Sequence, residues 1–554
     1  MRRLLALALI GGLLAAASPS NAHRPARTVH VTVLAINDFH GNLMPPSGGI
    51  VVGDPRDPSG KTSVAAGGSE YMGTLIHQLR AKNRNTIFVS AGDVIGASPL
   101  LSALFHDEPT VESLSLMGLE VSTVGNHEFD EGPAELSRIQ NGGCHPKDGC
   151  KGPHRFAGAR FRYLAANVVQ KASGKTLFPA YYVKSFGGVP VAFIGIALQG
   201  TPDIVSPSAT EGLEFQDEAA SVNALVPKLR ARGVEAIVVL IHDGDAQTGD
   251  YNDCRAMSGA LVDIVPKLDK AVDVVVSGHT HQAYNCTIDG RLVTSANRYG
   301  TLVTDIDLSL DVKTHDVVSA KAENLIVRDD RYARDPGQTA LLASYQAIAG
   351  PLANRKVGAI TQSLKRDPDP TGESPLGELL ASAQLAATSS PQRGGAQIAF
   401  LNAGSVRAEI VRRASGEVTY ADLFEAQPFG NSLVTLTLTG AQLRTLLEQQ
   451  WSNPSAPRML QVSDGFSYSW DALRPPGQKV LADSITLNGK PVDPQGVYRV
   501  TVTDYLADGG DGLAVLKEGA DRVAAMPDIE ATEAYLQAHS PVSPPPLDRV
   551  HRAN

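Results

Sequence analysis

Five short stretches of this sequence carry side chains able to ligate metal ions: Asn37-Asp38-Phe39-His40, Gly92-Asp93, Gly125-Asn126-His127-Glu128-Phe129-Asp130, His242-Asp243-Gly244 and Gly278-His279-Thr280-His281. Singly, each is a weak signal, because an Asp or His after an apolar run is more often a capped turn or a satisfied polar group than a ligand. Their shared position is the stronger signal. Each directly follows a buried-strand pattern: VTVLAI from Val31, TIFVSA from Thr86, VSTV from Val121, EAIVVLI from Glu235 and DVVVS from Asp273. Open α/β sheets gather their sites outside the C-terminal ends of their strands. Five such ends of one sheet would bring imidazoles, carboxylates and an amide to one place. Those desolvated groups would lack partners unless something cationic sat among them.

Counting ligands gives two metal ions. Asp38, His40 and His281 suit one, Asn126, His242 and His279 the other, and the Asp93 carboxylate bridges. Mixed nitrogen and oxygen ligation points to Zn, Mn, Co or Fe and away from a Cys-rich structural zinc. Paired divalent ions clamp a phosphate, generate hydroxide near neutral pH and stabilise both apical oxygens of an in-line displacement, so the implied chemistry is phosphoester hydrolysis by in-line attack of metal-activated hydroxide. His127 lies beside ligand Asn126, and Asp130 is spaced to orient its imidazole. This pair is expected to stabilise the transferring phosphoryl group or protonate the leaving oxygen. The plainer alternative is a histidine that caps the next helix.

The elements that must position these residues form an α/β pattern, with short β-branched runs alternating with amphipathic helices such as residues 70–83. A chain of 554 residues and 58.4 kDa exceeds one compact core and implies two large domains. From about Leu325 the text becomes charged and turn-rich, with residues 339–349 reading as one helix that ends at Gly350-Pro351. Beyond it a second unit shows a helix over 375–388 and strands near 397–401, 433–438 and 498–502. The expected division is a leader over 1–22, a first domain over 29–325, a linker with a helix over 326–356, and a second domain over 357–547.

The N-terminus has a charged start (Arg2-Arg3), an uncharged run over 4–17 and the small-residue stretch Ser20-Asn21-Ala22, the pattern of a secretory signal peptide cut after Ala22. Export to the periplasm or beyond is the expectation. The uncharged run is too short to span a bilayer, and no lipid-anchor cysteine or C-terminal anchor signal is seen. Cys144, Cys150, Cys254 and Cys286 are an even set, which in an exported chain suggests two disulfides with three possible pairings. The favoured one joins Cys144 to Cys150 across a short Gly-rich loop and leaves Cys254 with Cys286. The rival is a metal site built from Cys144, His145, Cys150 and His154. A net charge of −9 argues against a protein that coats DNA or RNA.

NDFHGNL, Gly92-Asp93, GNHEFD, IHDG and GHTH, in this order and spacing, resemble the binuclear metallophosphoesterase domain of the secreted bifunctional 5′-nucleotidase and UDP-sugar hydrolase family. The second unit resembles that family's C-terminal domain through NAGSVR from Asn402, AQPFGN around Phe429 and DYLADGGDG from Asp504. The resemblance implies a calcineurin-like β-sandwich flanked by helices (α/β/β/α), a linker helix, and a smaller α/β nucleotide-binding domain. It implies the same seven metal ligands and the His127–Asp130 pair. It also implies a base held between the rings of Phe429 and Tyr505, with Asn402, Arg407 and Asp511 contacting base, phosphate or ribose, and a second domain that moves about the linker helix. Arg366 is a further, poorly aligned phosphate candidate, and Glu378 stands where relatives often carry Asn.

The leading expectation is an exported phosphohydrolase that removes the 5′-phosphate from small nucleotides, with di- and triphosphates and UDP-sugars as further substrates, and with no nucleic-acid polymer or membrane as partner. The neighbouring reading is a 2′,3′-cyclic-nucleotide phosphodiesterase with 3′-nucleotidase activity. A reading of another kind, a secreted nucleotide- or metal-binding protein without turnover, fits poorly with a complete ligand set.

Overall fold

The computed structural model of the protein describes residues 27–54, 56, 60–453 and 457–554; the expected leader and its cleavage point lie outside the described residues. Strand β1 (Thr28–Ile36) buries both of its faces, with Val31, Val33 and Ala35 on one side and Leu34 and Ile36 on the other. That is why it reads as an unbroken apolar run. It pairs in parallel with β2 (Thr86–Ser90), which pairs in parallel with β3 (Val121–Thr123). Strands Val317–Ile326 and Leu302–Asp311 extend this sheet beyond β1, and Arg162–Leu164 extends it beyond β3. In a second sheet β4 (Ala236–Ile241) and β5 (Val274–Ser277) run parallel at the centre.

The two sheets face each other across one core, where Val31, Val33 and Val89 meet Val191, Phe193, Val238 and Val276. Helices α1 (Ser69–Lys82) and α2 (Glu108–Met117) cover the outer face of the first sheet through Met72, Leu75, Val111 and Leu114. Helix α3 (Glu218–Arg230) covers the second through Val222, Val226 and Leu229. The result is the α/β/β/α sandwich. The five chemistry-bearing strand ends therefore belong to two sheets, β1 to β3 in one and β4 and β5 in the other, and not to a single sheet. The physical reason for this correction is that a strand buried on both faces has the same apolar pattern whether helices cover both sides or a second sheet covers one.

The linker helix α4 spans Pro336–Ala353, longer at both ends than the sequence pattern indicates. Pro336 occupies the first helical position behind Asp335, whose carboxylate accepts from Gln338 N at 3.0 Å. Pro351 falls in the last turn and forgoes the bond to the carbonyl four residues back, yet the helix continues past it and Asn354 N bonds the Gly350 carbonyl at 3.0 Å. The helix is docked on the first domain: Ser113 Oγ donates to Gln338 Oε1 at 2.7 Å, and Tyr345 packs edge-on against Phe105 at 4.8 Å.

The second domain is built on a sheet ordered Leu460–Val462, Ile398–Asn402, Val497–Thr503, Ser432–Thr439, Ala520–Pro527, with helix α5 (Pro375–Thr388) among those packed on it. Phe400, Leu436, Val500 and Tyr468 lie in its main core. Cys144 is bonded to Cys150 and Cys254 to Cys286. No described helix is long and apolar enough to cross a membrane.

Candidate active site

The chain turns sharply as it leaves three of the central strands. Asp38 and His40 after β1, Asp93 after β2, and His279 and His281 after β5 all adopt left-handed backbone, with φ between 46° and 69°. Such conformations are rare for residues other than glycine and persist only where surrounding structure holds them. Close approach is also enforced at Gly125, where a Cβ would lie 2.2 Å from Asp93 Oδ1.

Within this cradle the ligand atoms of Asp38, His40 and His281 lie within 4.8 Å of one another, as do those of Asp93, His242 and His279. His40 Nδ1 sits 2.9 Å from the Gly96 carbonyl, which places its proton there and leaves Nε2 as a bare lone pair. That nitrogen faces His281 Nε2 at 3.1 Å, and His281 Nε2 is 3.3 Å from Asp38 Oδ1. The second group repeats the pattern. His242 Nδ1 lies 2.8 Å from the Ala91 carbonyl, and its Nε2 lies 3.0 Å from Asp93 Oδ2 and 3.1 Å from Asn126 Oδ1. Asn126 Oδ1 is also 3.0 Å from His279 Nδ1. Asp93 joins the two groups, because its Oδ2 is 3.7 Å from His40 Nε2.

Lone pairs that converge in this way repel unless a proton or a cation lies between them. The electrostatics of the cradle point the same way. Burial alone would depress His242, but the Asp93 carboxylate lifts it to about 10; burial and the charge of His242 together depress His279 to about 4. Burial would raise Asp93, yet His242 and His127 hold it well below the usual carboxylate range. The donor set of imidazoles, carboxylates and one amide oxygen suits divalent transition ions, and the two groups sharing Asp93 have the form of a two-ion site.

His127 Nδ1 lies 2.8 Å from Asp130 Oδ2, and its backbone N–H donates to Asp93 Oδ1 at 2.9 Å. Burial would depress this imidazole, but Asp130 and Asp93 together raise it. Sequence reasoning passed over Glu128, whose Oε1 accepts from Val94 N at 2.9 Å while its Oε2 accepts from Asp93 N at 2.9 Å and from Gly125 N. It ties the loops after β2 and β3 together. Its place inside GNHEFD was the available signal.

From the second domain, Phe429 stacks on the His127 ring at 5.9 Å and 19°, and the Arg407 guanidinium lies over Phe429 at 5.8 Å. Arg366 donates to the Arg407 carbonyl at 2.6 Å. Asn402, Tyr505 and Asp511 form a separate group: Asn402 Nδ2 and Tyr505 Oη donate to Asp511 at 2.7 and 3.0 Å, joined by Arg458 at 2.9 Å. Arg458 was not singled out in the sequence. Glu378 is fully buried, with Oε2 3.3 Å from Arg549 Nε, and has no hydrogen bond to either group.

Residues 31–283 match the model of the calcineurin-like phosphoesterases, and residues 353–518 match that of the 5′-nucleotidase C-terminal domain. The chain is 31% identical over 566 residues to cell wall protein Lmo0130 of Listeria monocytogenes, covering 96% of this chain and 70% of that protein. It belongs to the 5′-nucleotidase family of metallophosphoesterases. These are hydrolases of phosphoric esters. The chain is also 34% identical over 521 residues to endonuclease YhcR of Bacillus subtilis, covering 93% of this chain but spanning only 40% of that protein's length. Among solved structures, the 5′-nucleotidase precursor from Thermus thermophilus is similar with a TM-score of 0.77 at 28% identity, covering 95% of this chain and 99% of the other.

A further histidine cluster in this 5′-nucleotidase family member lies outside the cradle. His106, Glu131 and His145 bring ligand atoms within 4.8 Å of one another, beside the Cys144–Cys150 loop. His106 lies 2.9 Å from Glu131 through Nδ1 and 3.1 Å from Asp148 through Nε2. Its ring stacks on His145 at 3.8 Å and 14°. Lone pairs lie in the ring plane, so stacked imidazoles cannot aim at a shared ion. The cysteines, being paired, also leave the alternative Cys144, His145, Cys150, His154 site without its sulfur ligands.

Proposed function

We propose that the protein is an exported, metal-dependent phosphohydrolase that removes the 5′-phosphate from nucleotides. The observation that carries this reading is the convergence of Asp38, His40, His281, Asn126, His242 and His279 on two groups that share Asp93, with the His127–Asp130 pair beside them and Phe429 of the second domain lying on His127. In this reading those seven residues hold two divalent ions. When bound, the ions lower the pKa of water and oppose the phosphoryl charge.

The chain's own residues do the rest. Asp130 holds the Nδ1 proton of His127, which leaves Nε2–H to meet the phosphoryl oxygens or to protonate the departing 5′-oxygen. Arg407, whose Nε and Nη2 are buried without a partner, is placed to receive a phosphate oxygen. Phe429 and Tyr505 supply ring faces for the base, while Asn402 and Asp511 supply polar contacts for base or ribose. Because one nucleotide must touch both domains, binding and release require relative movement of the units we assign to 29–325 and 357–547 about the linker 326–356. Export, with cleavage after Ala22, is supported by the two disulfides and by a cell-wall relative.

Similarity to an endonuclease favours a second reading, in which the same centre cleaves phosphodiesters. The test is to strip the protein with chelator, restore Mn, Zn, Co or Mg, and follow phosphate release from AMP and UMP and, by chromatography of the nucleotide products, the cleavage of UDP-glucose and 2′,3′-cyclic AMP. Metal-dependent turnover fastest with AMP or UMP supports the nucleotidase. Conversion of the cyclic substrate to adenosine monophosphate alone supports the phosphodiesterase, and no product from any substrate defeats both.

A further inference from the structure

Gly96, on the loop that follows β2, borders two parts of the cradle at once. Its carbonyl lies 2.9 Å from His40 Nδ1, and a Cβ on its Cα would lie 2.5 Å from the His127 carbonyl oxygen and 2.7 Å from Asp130 Oδ2. The His40 and His127 rings themselves are 5.0 Å apart. With φ at 79° and no room for a side chain, the position requires glycine. Glycine also has the widest choice of backbone conformations, so the aim of this carbonyl must be set from outside.

The restraint comes from Asp107. It stands immediately before helix α2, where an aspartate ordinarily accepts a bond from the first free amides of its own helix. Asp107 makes no such bond: its Oδ2 accepts from Gly96 N at 3.0 Å and its Oδ1 from Ser102 Oγ at 2.5 Å. Its backbone is left-handed, with φ at 61°, a conformation that an aspartate keeps only where its surroundings hold it. The side chain is buried, and burial, with the like charge of Glu131 adding to it, pushes the carboxyl above its usual range. A buried, strained aspartate that leaves its own helix uncapped is accounted for by the amide it holds.

We propose that Asp107 is a positioning residue for phosphoester hydrolysis: by holding the Gly96 N–H it aims the Gly96 carbonyl at His40 Nδ1 and keeps the Gly96 backbone seated against His127 and Asp130. His40 Nε2 then stays bare and pointed at the ion of the Asp38, His40, His281 group. This rests on the two-ion reading above. Asp107 itself touches neither ion nor substrate. An acceptor that holds the far proton of a ligating histidine fixes its tautomer and ring orientation, and Asp107 acts one bond further out.

Two substitutions test this. Asp107→Gly deletes the carboxylate and suits the left-handed backbone, whereas Asp107→Asn keeps an oxygen to accept the Gly96 amide. Chelator-stripped wild type and variants are titrated with Zn against a chelating dye, and AMP hydrolysis is followed in the Zn-saturated proteins. Asp107→Gly is expected to bind one of the two ions about tenfold more weakly and to lose about tenfold in kcat, while the other ion and the KM for AMP stay as in the wild type. Asp107→Asn is expected to restore most of both losses. Unchanged ion affinities and kcat in Asp107→Gly, an equal weakening of both ions, or a loss confined to KM overturns the proposal. If Asp107→Gly does not fold, Ser102→Ala removes the other bond to the carboxylate and is expected to give the same selective loss at about threefold, and no loss there is equally fatal. A wild type that binds two ions and hydrolyses AMP, matched by Asp107→Gly, leaves the reading above standing and this proposal refuted. A wild type that neither binds an ion nor hydrolyses AMP refutes that reading, and this proposal with it.

Discussion

The cluster around Asp93 and the cluster around Glu131 use the same side-chain types, and Asp130 of the first is the sequence neighbour of Glu131 in the second. They differ in how the rings are held. In the cradle, His40 meets His281 at 68° and His242 meets His279 at 67°, so their in-plane lone pairs can aim at common points. On the surface, His106 and His145 lie face to face at 14°; the nitrogens of His106 go to Glu131 and Asp148, and His145 Nε2 lies 3.7 Å from the same Glu131. Composition makes both clusters metal-capable. Orientation, fixed by strand-end backbone in one and by a disulfide-closed loop in the other, separates the cradle we propose for two ions from a brace held by ion pairs.

Four changes test this contrast, beginning with the largest expected effect. Asp93→Ala removes the group shared by both halves of the cradle and is expected to abolish turnover and retained metal together, as read by phosphate release and by metal analysis of the purified protein. His127→Ala should lower kcat roughly a hundred- to ten-thousandfold while metal content stays at the wild-type value; a parallel loss of metal would move His127 from acid to ligand. Glu128→Gln keeps the volume but weakens the link between the loops after β2 and β3. It is expected to reduce metal affinity by about ten- to a hundredfold, seen in competition with a chelating dye.

The smallest effect concerns the brace. Burial would lower His106, but bonds to Glu131 and Asp148 raise it above its ordinary value; burial would raise Glu131, but His106 lowers it. A raised histidine contributes stability that is complete below its unfolded value and is lost as pH climbs through the folded one. A lowered carboxylate contributes stability that is complete above its unfolded value and is lost as pH falls through the folded one. His106→Ala should therefore lower the thermal midpoint by roughly 2–4 °C between pH 5 and 6, and by less at pH 9, without changing turnover. An equal shift at both pH values would mean that the brace holds by packing alone.

Much of the cradle was legible because each ligand directly follows an apolar strand, a relation that survives in the linear sequence. What escaped has physical causes. The sandwich followed from the resemblance, but the division of the five strand ends between its two sheets was hidden because doubly buried strands carry no mark of what covers each face. The ends of α4 were hidden because Pro336 and Pro351 read as breaks, although the helix starts at the first and runs through the second. The stacking of Phe429 on His127 depends on a contact between residues far apart in the chain, which no local spacing encodes. Glu128 was visible as a letter in its motif, but its bonds to three amides depend on the fold that brings two loops together.

The most direct measurement is the stoichiometry of metal binding, by calorimetric titration of chelator-stripped protein with Mn or Zn, for the wild type and for His106→Ala. The account predicts two ions per chain in both proteins, with phosphate release from AMP rising in step with occupancy. A count that falls in His106→Ala, or a wild type that binds no ion while hydrolysing AMP at full rate, would contradict it.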